Sequence, residues 1–147
     1  MPINPGFDFI NQVLATSGAL LRESRKFFRP LGVTEAQFNV LNVLAGAPGG
    51  MSQRELSDVL VVDRSNVTTL LDRMEKSALV RRADHPSDRR IYQIFLTEKG
   101  RRLWARVHPL YVRAVAHVTG RLSAGQMHEC SETLRALAAS AAKWREK

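Results

Sequence analysis

Apolar side chains recur at helical spacing from residue 7 to residue 28, and this pattern predicts a long amphipathic helix. Its apolar positions are Phe7, Ile10, Val13, Leu14, Leu20, Leu21, Phe27 and Phe28. The helix is expected to end at Arg29-Pro30, because proline lacks a backbone N–H and cannot continue a helix. A second helix is expected from Thr34. There Thr34 and Gln37 fit a capping box, in which each side chain accepts a hydrogen bond from the other residue's backbone N–H. Its buried stripe would be Phe38, Leu41 and Leu44.

The segment Gly46–Gly50 breaks this second helix. Ser52 and Glu55 then fit another capping box, which opens a short helix through Leu60. Its inward-facing residues are predicted to be Leu56, Val59 and Leu60. Asp63 is predicted to cap the next helix, which runs to about Lys76.

Residues 79–83 and 91–96 are predicted to form two strands of a hairpin. Thr97 opens a long helix of basic and apolar residues, and Ser123 caps a last, alanine-rich helix that ends near Trp144. The predicted fold class is therefore mainly α with a small β-hairpin (α+β).

The helix over residues 63–77 separates its apolar and polar side chains. One side holds Val67, Leu70, Leu71 and Met74, and the other holds mostly Ser65, Thr68, Thr69, Asp72, Arg73 and Lys76. Short hydroxyl groups let a helix backbone approach base edges and phosphates, while arginine reaches guanine or the DNA backbone. Because the second helix of a helix-turn-helix enters the major groove by its N-terminal end, the predicted base-reading residues are Arg64, Ser65, Asn66 and Thr68. Arg73 is predicted to contact phosphate, and Thr69 on the same polar side is also a predicted DNA contact. Taken alone, the pattern also fits an ordinary amphipathic surface helix.

The predicted hairpin has a charged tip over residues 84–90. Pro86 and Ser87 favour a turn, and Asp88 could hold Arg89 or Arg90 in a fixed pose. An arginine held in this way fits a narrow minor groove, where negative potential is concentrated. The alternative is a solvated loop whose charges pair with each other.

The net charge is +8 at 147 residues, which favours a polyanionic partner without proving one. Near the hairpin, basic residues outnumber acidic ones: Arg81, Arg82, Arg89, Arg90, Lys99, Arg101 and Arg102 against Asp84, Asp88 and Glu98. No phosphate loop, nucleophile elbow or carboxylate pair is present, so we do not expect an enzyme or a cofactor. The histidines lack metal-site spacing, so no metal is expected either.

The segments that would direct the chain to a membrane are also absent from the pattern. No signal peptide or membrane-spanning run is found. The single cysteine, Cys130, fits a reducing cytoplasm and is expected to be an inert, buried or half-buried thiol.

Together these segments resemble the MarR family of bacterial transcription regulators. The resemblance rests on residues 63–76, on Leu79-Val80-Arg81-Arg82, on Asp88-Arg89-Arg90 and on 96–100, with residues 37–41 and 52–56 matching the preceding helices. It implies a winged helix-turn-helix domain (31–100) and dimerisation helices (1–30 and 101–147) in a single MarR-like chain (1–147). It also implies a homodimer on a palindromic double-stranded DNA operator, usually as a repressor that a small ligand or an oxidant releases. Ala78 departs from the family pattern, which usually has glycine there; a left-handed alanine would cost about 1 kcal/mol.

The resemblance also implies a small-molecule pocket between the dimer helices and the winged domain. Residues of suitable character for a small aromatic or phenolic effector are Phe27, Phe28, Phe38, Trp104, His108 and Tyr111. The same residues could be plain core. A winged-helix module that binds RNA or protein without ligand control is the alternative function.

Overall fold

The computed structural model describes residues 4–60, 64–84 and 91–143. Its helices are α1 (Pro5–Phe28), α2 (Glu35–Ala45), α3 (Gln53–Val59), α4 (Arg64–Lys76), α5 (Glu98–Thr119) and α6 (Ala124–Ala142). Its strands are β1 (Met51–Ser52), β2 (Val80–Asp84) and β3 (Tyr92–Leu96), and a 3₁₀ turn (Arg29–Leu31) follows α1. The predicted class, mainly helical with a small antiparallel sheet, is confirmed. Asp63, residues 85–90 and Trp144 lie outside the described residues.

The helix starts form by the local chemistry that the sequence predicts. At Thr34, Ser52 and Ser123 the hydroxyl accepts a hydrogen bond from the backbone N–H of the residue three positions later. The side chain of that later residue in turn accepts a hydrogen bond from the backbone N–H of the cap. Each capping box therefore satisfies two backbone donors that the first turn would otherwise leave without partners. At α5, the Thr97 hydroxyl accepts from the Gly100 N–H at 3.0 Å.

The small sheet has three strands in the order β1-β3-β2, all antiparallel. The register of β2 on β3 runs from Val80 opposite Leu96 to Asp84 opposite Tyr92. The predicted strands each begin one residue too early, and β1 was not predicted. Met51 pairs with Ile94 and Ser52 with Gln93, so β1 extends the hairpin into a sheet.

The chain divides into two compact units, Met1–His108 and Pro109–Lys147, with the boundary inside α5. Every buried hydrophobic residue of the described chain belongs to the first unit, and no described polar or charged residue is buried. The fully buried side chains include Phe28, Phe38, Leu41, Leu56, Leu71, Met74 and Ile94. In the second unit no described residue is buried.

One predicted core residue is wrong. Leu56 and Leu60 are buried as expected, but Val59 is 55% exposed. Leu60 caps α3 in an extended conformation (φ −72°, ψ 135°). The chain leaves the helix at Leu60, so helical periodicity no longer relates the side chains of Val59 and Leu60.

The end of α4 is a Schellman motif with an alanine where glycine is usual. Ala78 has φ 56°, its N–H donates to the Glu75 carbonyl at 2.8 Å, and the Leu79 N–H donates to the Met74 carbonyl at 2.9 Å. The left-handed backbone considered from the sequence is thus present.

The first turn of α5 packs directly on this motif. The Thr97 hydroxyl donates to the Ala78 carbonyl at 2.6 Å, and Lys99 Nζ donates to the Ser77 carbonyl at 2.8 Å. A Cβ added at Gly100 would lie 2.1 Å from the Leu79 carbonyl oxygen, so only glycine allows this approach.

Candidate nucleic-acid interface

The helix α4 has one face in the core and one in solvent, as its pattern predicts. Val67, Leu71 and Met74 are 0% exposed, and Leu70 is partly buried. The exposed face carries the predicted contacts Asn66, Thr68, Thr69 and Arg73. Arg64 and Ser65 form the first turn of α4, but only their backbone is described. The four described polar residues therefore share a solvent-facing surface on one helix.

A hydrogen bond from α3 holds one of these side chains. Gln53 Nε2 donates to Thr68 Oγ1 at 2.7 Å. Gln53 is the first residue of α3, which its capping box fixes. The sequence analysis missed Gln53, because Gln53 and Thr68 are 15 residues apart in the chain and no local motif links them.

A second set of contacts joins α4 to the wing, meaning the hairpin of β2 and β3. Arg82 on β2 bonds to both Asp72 and Glu75 on α4, with Arg82 Nη2 2.6 Å from Asp72 Oδ1. The Arg82 backbone N–H also donates to Glu75 Oε1 at 3.1 Å. We call Asp72, Glu75 and Arg82 the α4–wing clamp.

The clamp raises the pKa of its arginine. Partial burial by itself would lower the pKa of Arg82, but hydrogen bonds to Asp72 and Glu75, and the attraction of both carboxylates, outweigh burial and raise the pKa. Arg82 was counted with the basic residues near the hairpin. Because two carboxylates neutralise it, it is a structural cation of α4 and the wing.

One more arginine, Arg81, lies on the described part of the wing. Arg81 is exposed and its guanidinium carbon lies 4.3 Å from the centre of the Phe95 ring, a cation–π arrangement. Arg89 and Arg90 lie outside the described residues, so their placement in a minor groove stays a prediction.

The six aromatic candidates for an effector pocket lie in different environments. Phe28 and Phe38 are core residues, 2% and 1% exposed, with ring centres 5.1 Å apart, and Phe27 packs on Phe28 at 4.9 Å. Trp104 Nε1 donates to Asn42 Oδ1 at 3.1 Å, and its ring lies 4.8 Å from that of His108. Tyr111 is half-buried in the second unit.

The first unit contains a cavity of about 460 Å³ that none of these six residues lines. Its lining consists of Leu31, Gly32, Gln37, Ser77, Leu79, Lys99, Arg102, Leu103 and Arg106. The role of the six aromatic residues in ligand binding therefore stays a prediction.

The described part of the chain contains few other groups that could react or bind a metal. Cys130 is exposed on α6 in the single chain, so its expected burial is wrong. The second unit buries no described residue, so α6 has no core that could bury the Cys130 thiol. Among the residues described, no group of three metal-ligating side chains occurs, and no helix has the length and apolarity to cross a membrane.

A capped α3, an amphipathic α4 with a polar outer face and an antiparallel wing define a winged helix-turn-helix protein. The sequence profile of the MarR family matches residues 31–91. The chain is 32% identical over 91 residues to the transcriptional regulator HosA of Escherichia coli O111:H-, covering 62% of this chain and 67% of that protein. This protein belongs to the MarR family of transcription regulators.

Two further relatives carry names that describe an operon. A transcriptional regulatory protein assigned to the hcr operon of Thauera aromatica is 33% identical over 103 residues, which is 67% of this chain. The match spans 61% of the length of that protein. The homoprotocatechuate degradative operon repressor of Escherichia coli is 29% identical over 112 residues, 74% of this chain and 75% of the relative.

Solved structures share the fold over almost the whole chain. AbsC, a MarR family regulator from Streptomyces coelicolor, superposes with a TM-score of 0.84 at 24% identity, covering 95% of this chain and 97% of AbsC. A cysteine-to-serine mutant of MarR from Escherichia coli complexed with operator DNA gives 0.78 at 25% identity, covering 93% and 98%. The repressor CouR bound to a 23-mer DNA duplex gives 0.72 at 29% identity, covering 92% of each chain.

Proposed function

We propose that this protein is a sequence-specific, double-stranded DNA-binding repressor that acts as a homodimer in the cytoplasm and is released by a small ligand. The observation that carries the proposal is the polar outer face of α4, with Asn66, Thr68, Thr69 and Arg73 exposed above a buried apolar face. Arg64 and Ser65, at the helix start, complete the base-reading end, and Arg89 and Arg90 contact the minor groove.

Relatives support this assignment of the α4 face. CouR and MarR, both related to this chain in fold and sequence, have been solved on DNA duplexes, and MarR on its operator. The name of the homoprotocatechuate degradative operon repressor supports repression as the mode of action. The release by a small aromatic or phenolic effector rests on the family resemblance.

Exposed apolar side chains support a homodimer. In the first unit, α1 exposes Phe7 (68%), Leu14 (65%) and Leu20 (51%) along with Phe9, Ile10 and Leu21. In the second unit, Val112, Val115, Val118, Leu122 and Leu134 are each at least 41% exposed. Apolar surface of this extent marks an interaction site. Residues 1–30 and 101–147 would bury it against a second copy, and a two-fold axis would set two α4 helices about 34 Å apart, one turn of DNA.

The test is a gel shift with intergenic DNA from upstream of the gene that encodes the protein, in the presence of competitor DNA. Arg64→Ala, Arg73→Ala and Arg89→Ala should each weaken binding while circular dichroism stays unchanged. Replacing an arginine that contacts phosphate should also reduce the slope of log affinity against log salt by about one unit. Arg135→Ala is the control for loss of charge alone, because Arg135 lies on α6 in an exposed ion pair with Glu132. Size-exclusion chromatography should show that this variant has the same oligomeric state as the wild type.

The outcomes separate the proposal from its rival. Specific binding that the three substitutions weaken and the control preserves supports an operator-binding regulator. Affinity that survives all three substitutions means that α4 and the wing are not the docking surface. Equal competition by RNA favours a winged-helix module for RNA.

A further inference from the structure

Thr68 uses its hydroxyl differently from other hydroxyl residues in the helices of this protein. A hydroxyl in a helix can donate to the carbonyl four residues earlier, which turns the group back onto its own helix. Four described side chains do this at 2.8 or 2.9 Å: Ser57, Thr119, Ser131 and Thr133. Thr68 Oγ1 instead accepts a hydrogen bond from Gln53 Nε2 on α3 at 2.7 Å, and in the described part of the chain no group accepts one from the Thr68 hydroxyl.

Gln53 is a rigid partner for this hydroxyl because its backbone is fixed on both sides. The preceding residue, Ser52, pairs with Gln93 of β3 and forms the capping box of α3 with Glu55. The Gln53 carbonyl also accepts a hydrogen bond from the Ser57 hydroxyl at 2.8 Å. Gln53 is half-buried, so its side chain has few alternative rotamers. It therefore holds the Thr68 hydroxyl in one orientation before any ligand binds, which reduces the cost of ordering on binding.

Thr68 lies at the edge of the polar face of α4. At 100° per residue, its side chain is about 60° from that of the buried Leu71 and about 100° from that of the exposed Thr69. Thr68 itself is exposed although it is bonded to Gln53. A ligand on the polar face of α4 can therefore reach the hydroxyl without displacing Gln53.

The bond from Gln53 also determines what the hydroxyl offers to a ligand. A hydroxyl has one O–H donor and two lone pairs, and the Gln53 amide occupies one lone pair of Thr68. A hydroxyl that accepts one hydrogen bond is polarised and becomes a stronger donor. Thr68 should therefore act on DNA mainly as a donor. At the major-groove edge of the bases, the keto oxygens of guanine and thymine are acceptors for such a group.

We propose that Gln53 determines sequence specificity through Thr68: it orients the Thr68 hydroxyl to donate to a keto oxygen in the major groove, and so sets the identity of one base pair in each half-site. This inference rests on the proposed DNA-binding function and assigns one step of base recognition within it. Gln53 is a positioning residue, since it acts on the base through Thr68. Its role differs from that of an arginine on phosphate, which holds the protein on any sequence.

The first test is selection of bound sequences from randomised double-stranded DNA, with sequencing of the bound pools. Thr68→Val keeps a similar shape and removes the hydroxyl, so it identifies the base pair that Thr68 reads. The wild type should prefer one base pair at this position about three- to ten-fold, and Thr68→Val should reduce the preference below about two-fold. Gln53→Ala should relax the same position, and should add no further change there when it is combined with Thr68→Val. Gln12→Ala is the control, because it removes an amide–hydroxyl bond within α1.

The second test addresses the acceptor atom. At the base pair identified by Thr68→Val, 4-thiothymine or 6-thioguanine replaces the keto oxygen by sulfur, which is a weaker acceptor. The affinity of the wild type, measured by fluorescence anisotropy, should fall about three-fold or more. The affinity of Thr68→Val should change less than about two-fold, because this variant has no hydroxyl to donate.

Each result either supports or overturns the role of Gln53. Relaxation of the same base pair by Gln53→Ala and Thr68→Val, with the control unchanged, supports it. A base preference that survives Gln53→Ala, or relaxation at a different base pair, overturns it while the proposed function stands. Equal effects of sulfur on the wild type and on Thr68→Val overturn the donor orientation. If the wild type selects no sequence, the proposed function fails, and this inference fails with it. Thermal unfolding followed by circular dichroism shows that each variant is folded, which a base preference measured within one pool does not depend on.

Discussion

Replacement of Arg82 by methionine tests whether the α4–wing clamp fixes α4 to the hairpin. Methionine keeps an apolar stem of similar length but removes the guanidinium that bonds to Asp72 and Glu75. The hydrogen bond from the Arg82 backbone N–H to Glu75 is retained in principle, since it does not need the side chain. The substitution therefore isolates the two charged contacts.

The magnitude follows from the exposure of the three side chains. The Arg82 side chain is 22% exposed, whereas Asp72 and Glu75 are 51% and 40% exposed. Fully exposed ion pairs contribute about 0–1 kcal/mol, and hydrogen bonds to charged groups about 1.5–3 kcal/mol when solvent is excluded. With a mostly buried arginine and half-exposed carboxylates, we expect about 0.5–1 kcal/mol per contact. Arg82→Met should thus lower the free energy of unfolding by about 1–2 kcal/mol.

The assay is urea unfolding followed by circular dichroism, with every variant at the same protein concentration because the stability of the proposed dimer would depend on concentration. A double-mutant cycle with Asp72→Asn should give a coupling energy of about 0.5–1 kcal/mol. Arg102→Met is the matched control, since Arg102 makes only the exposed 3.6 Å pair with Glu98. If Arg82→Met is no more destabilising than Arg102→Met, the reasoning from burial is refuted.

Three further substitutions test local features of the first unit. Gly100→Ala should lower the free energy of unfolding by about 3 kcal/mol, because the added Cβ would lie 2.1 Å from the Leu79 carbonyl oxygen. Gly49→Ala is the control: a Cβ at Gly49 has no neighbour within 4 Å, so its thermal melt should stay near that of the wild type. Ala78→Gly should raise the free energy of unfolding by about 0.5–1 kcal/mol, because glycine adopts φ 56° without steric strain. Ala105→Gly, inside α5, should lower it. A loss of stability in Ala78→Gly would contradict the inference that Ala78 is strained. Gln53→Ala should weaken operator binding about three-fold, because it removes the hydrogen bond that holds Thr68. Gln12→Ala on α1 is the control in the same gel shift, since Gln12 bonds only to Thr16 on its own helix. Equal effects of the two substitutions would show that Gln53 does not position Thr68.

The sequence was most informative where a structure depends on neighbouring residues. The capping boxes at Thr34 and Ser52 were each predicted from two residues three positions apart, and both bonds of each box are present. Ser123 was predicted as a cap, and it too forms a capping box. The buried face of α4 follows from helical periodicity alone, since Val67, Leu71 and Met74 point into the core. The left-handed turn at Ala78 could be considered because the MarR family pattern usually has glycine at that position.

Features that depend on distant residues could not be predicted in this way. The strand β1 has two residues, and Ser52 also caps α3, so its helix signal concealed its pairing with Gln93. The contact of Gln53 with Thr68 needs α3 and α4 to be packed before it can form. The cavity beside α5 collects residues from four segments, and no motif in any one of them indicates it.

The distribution of charge near the wing shows why counting basic residues overstates the free positive charge there. Arg82 is neutralised by the two carboxylates of the clamp. Lys99 and Arg102 keep their charge but lie on α5, where Lys99 donates to a carbonyl at the end of α4 and Arg102 makes an exposed 3.6 Å pair with Glu98. Arg82 joins β2 to α4, Lys99 joins α5 to the end of α4, and Arg102 lines the cavity. The proposed DNA contacts are then left to the arginines of α4 and of residues 89–90, so operator affinity should respond to Arg73 more strongly than to Arg102. Measured salt slopes for Arg73→Ala and Arg102→Ala would decide this, because only a contact with phosphate changes the slope by about one unit.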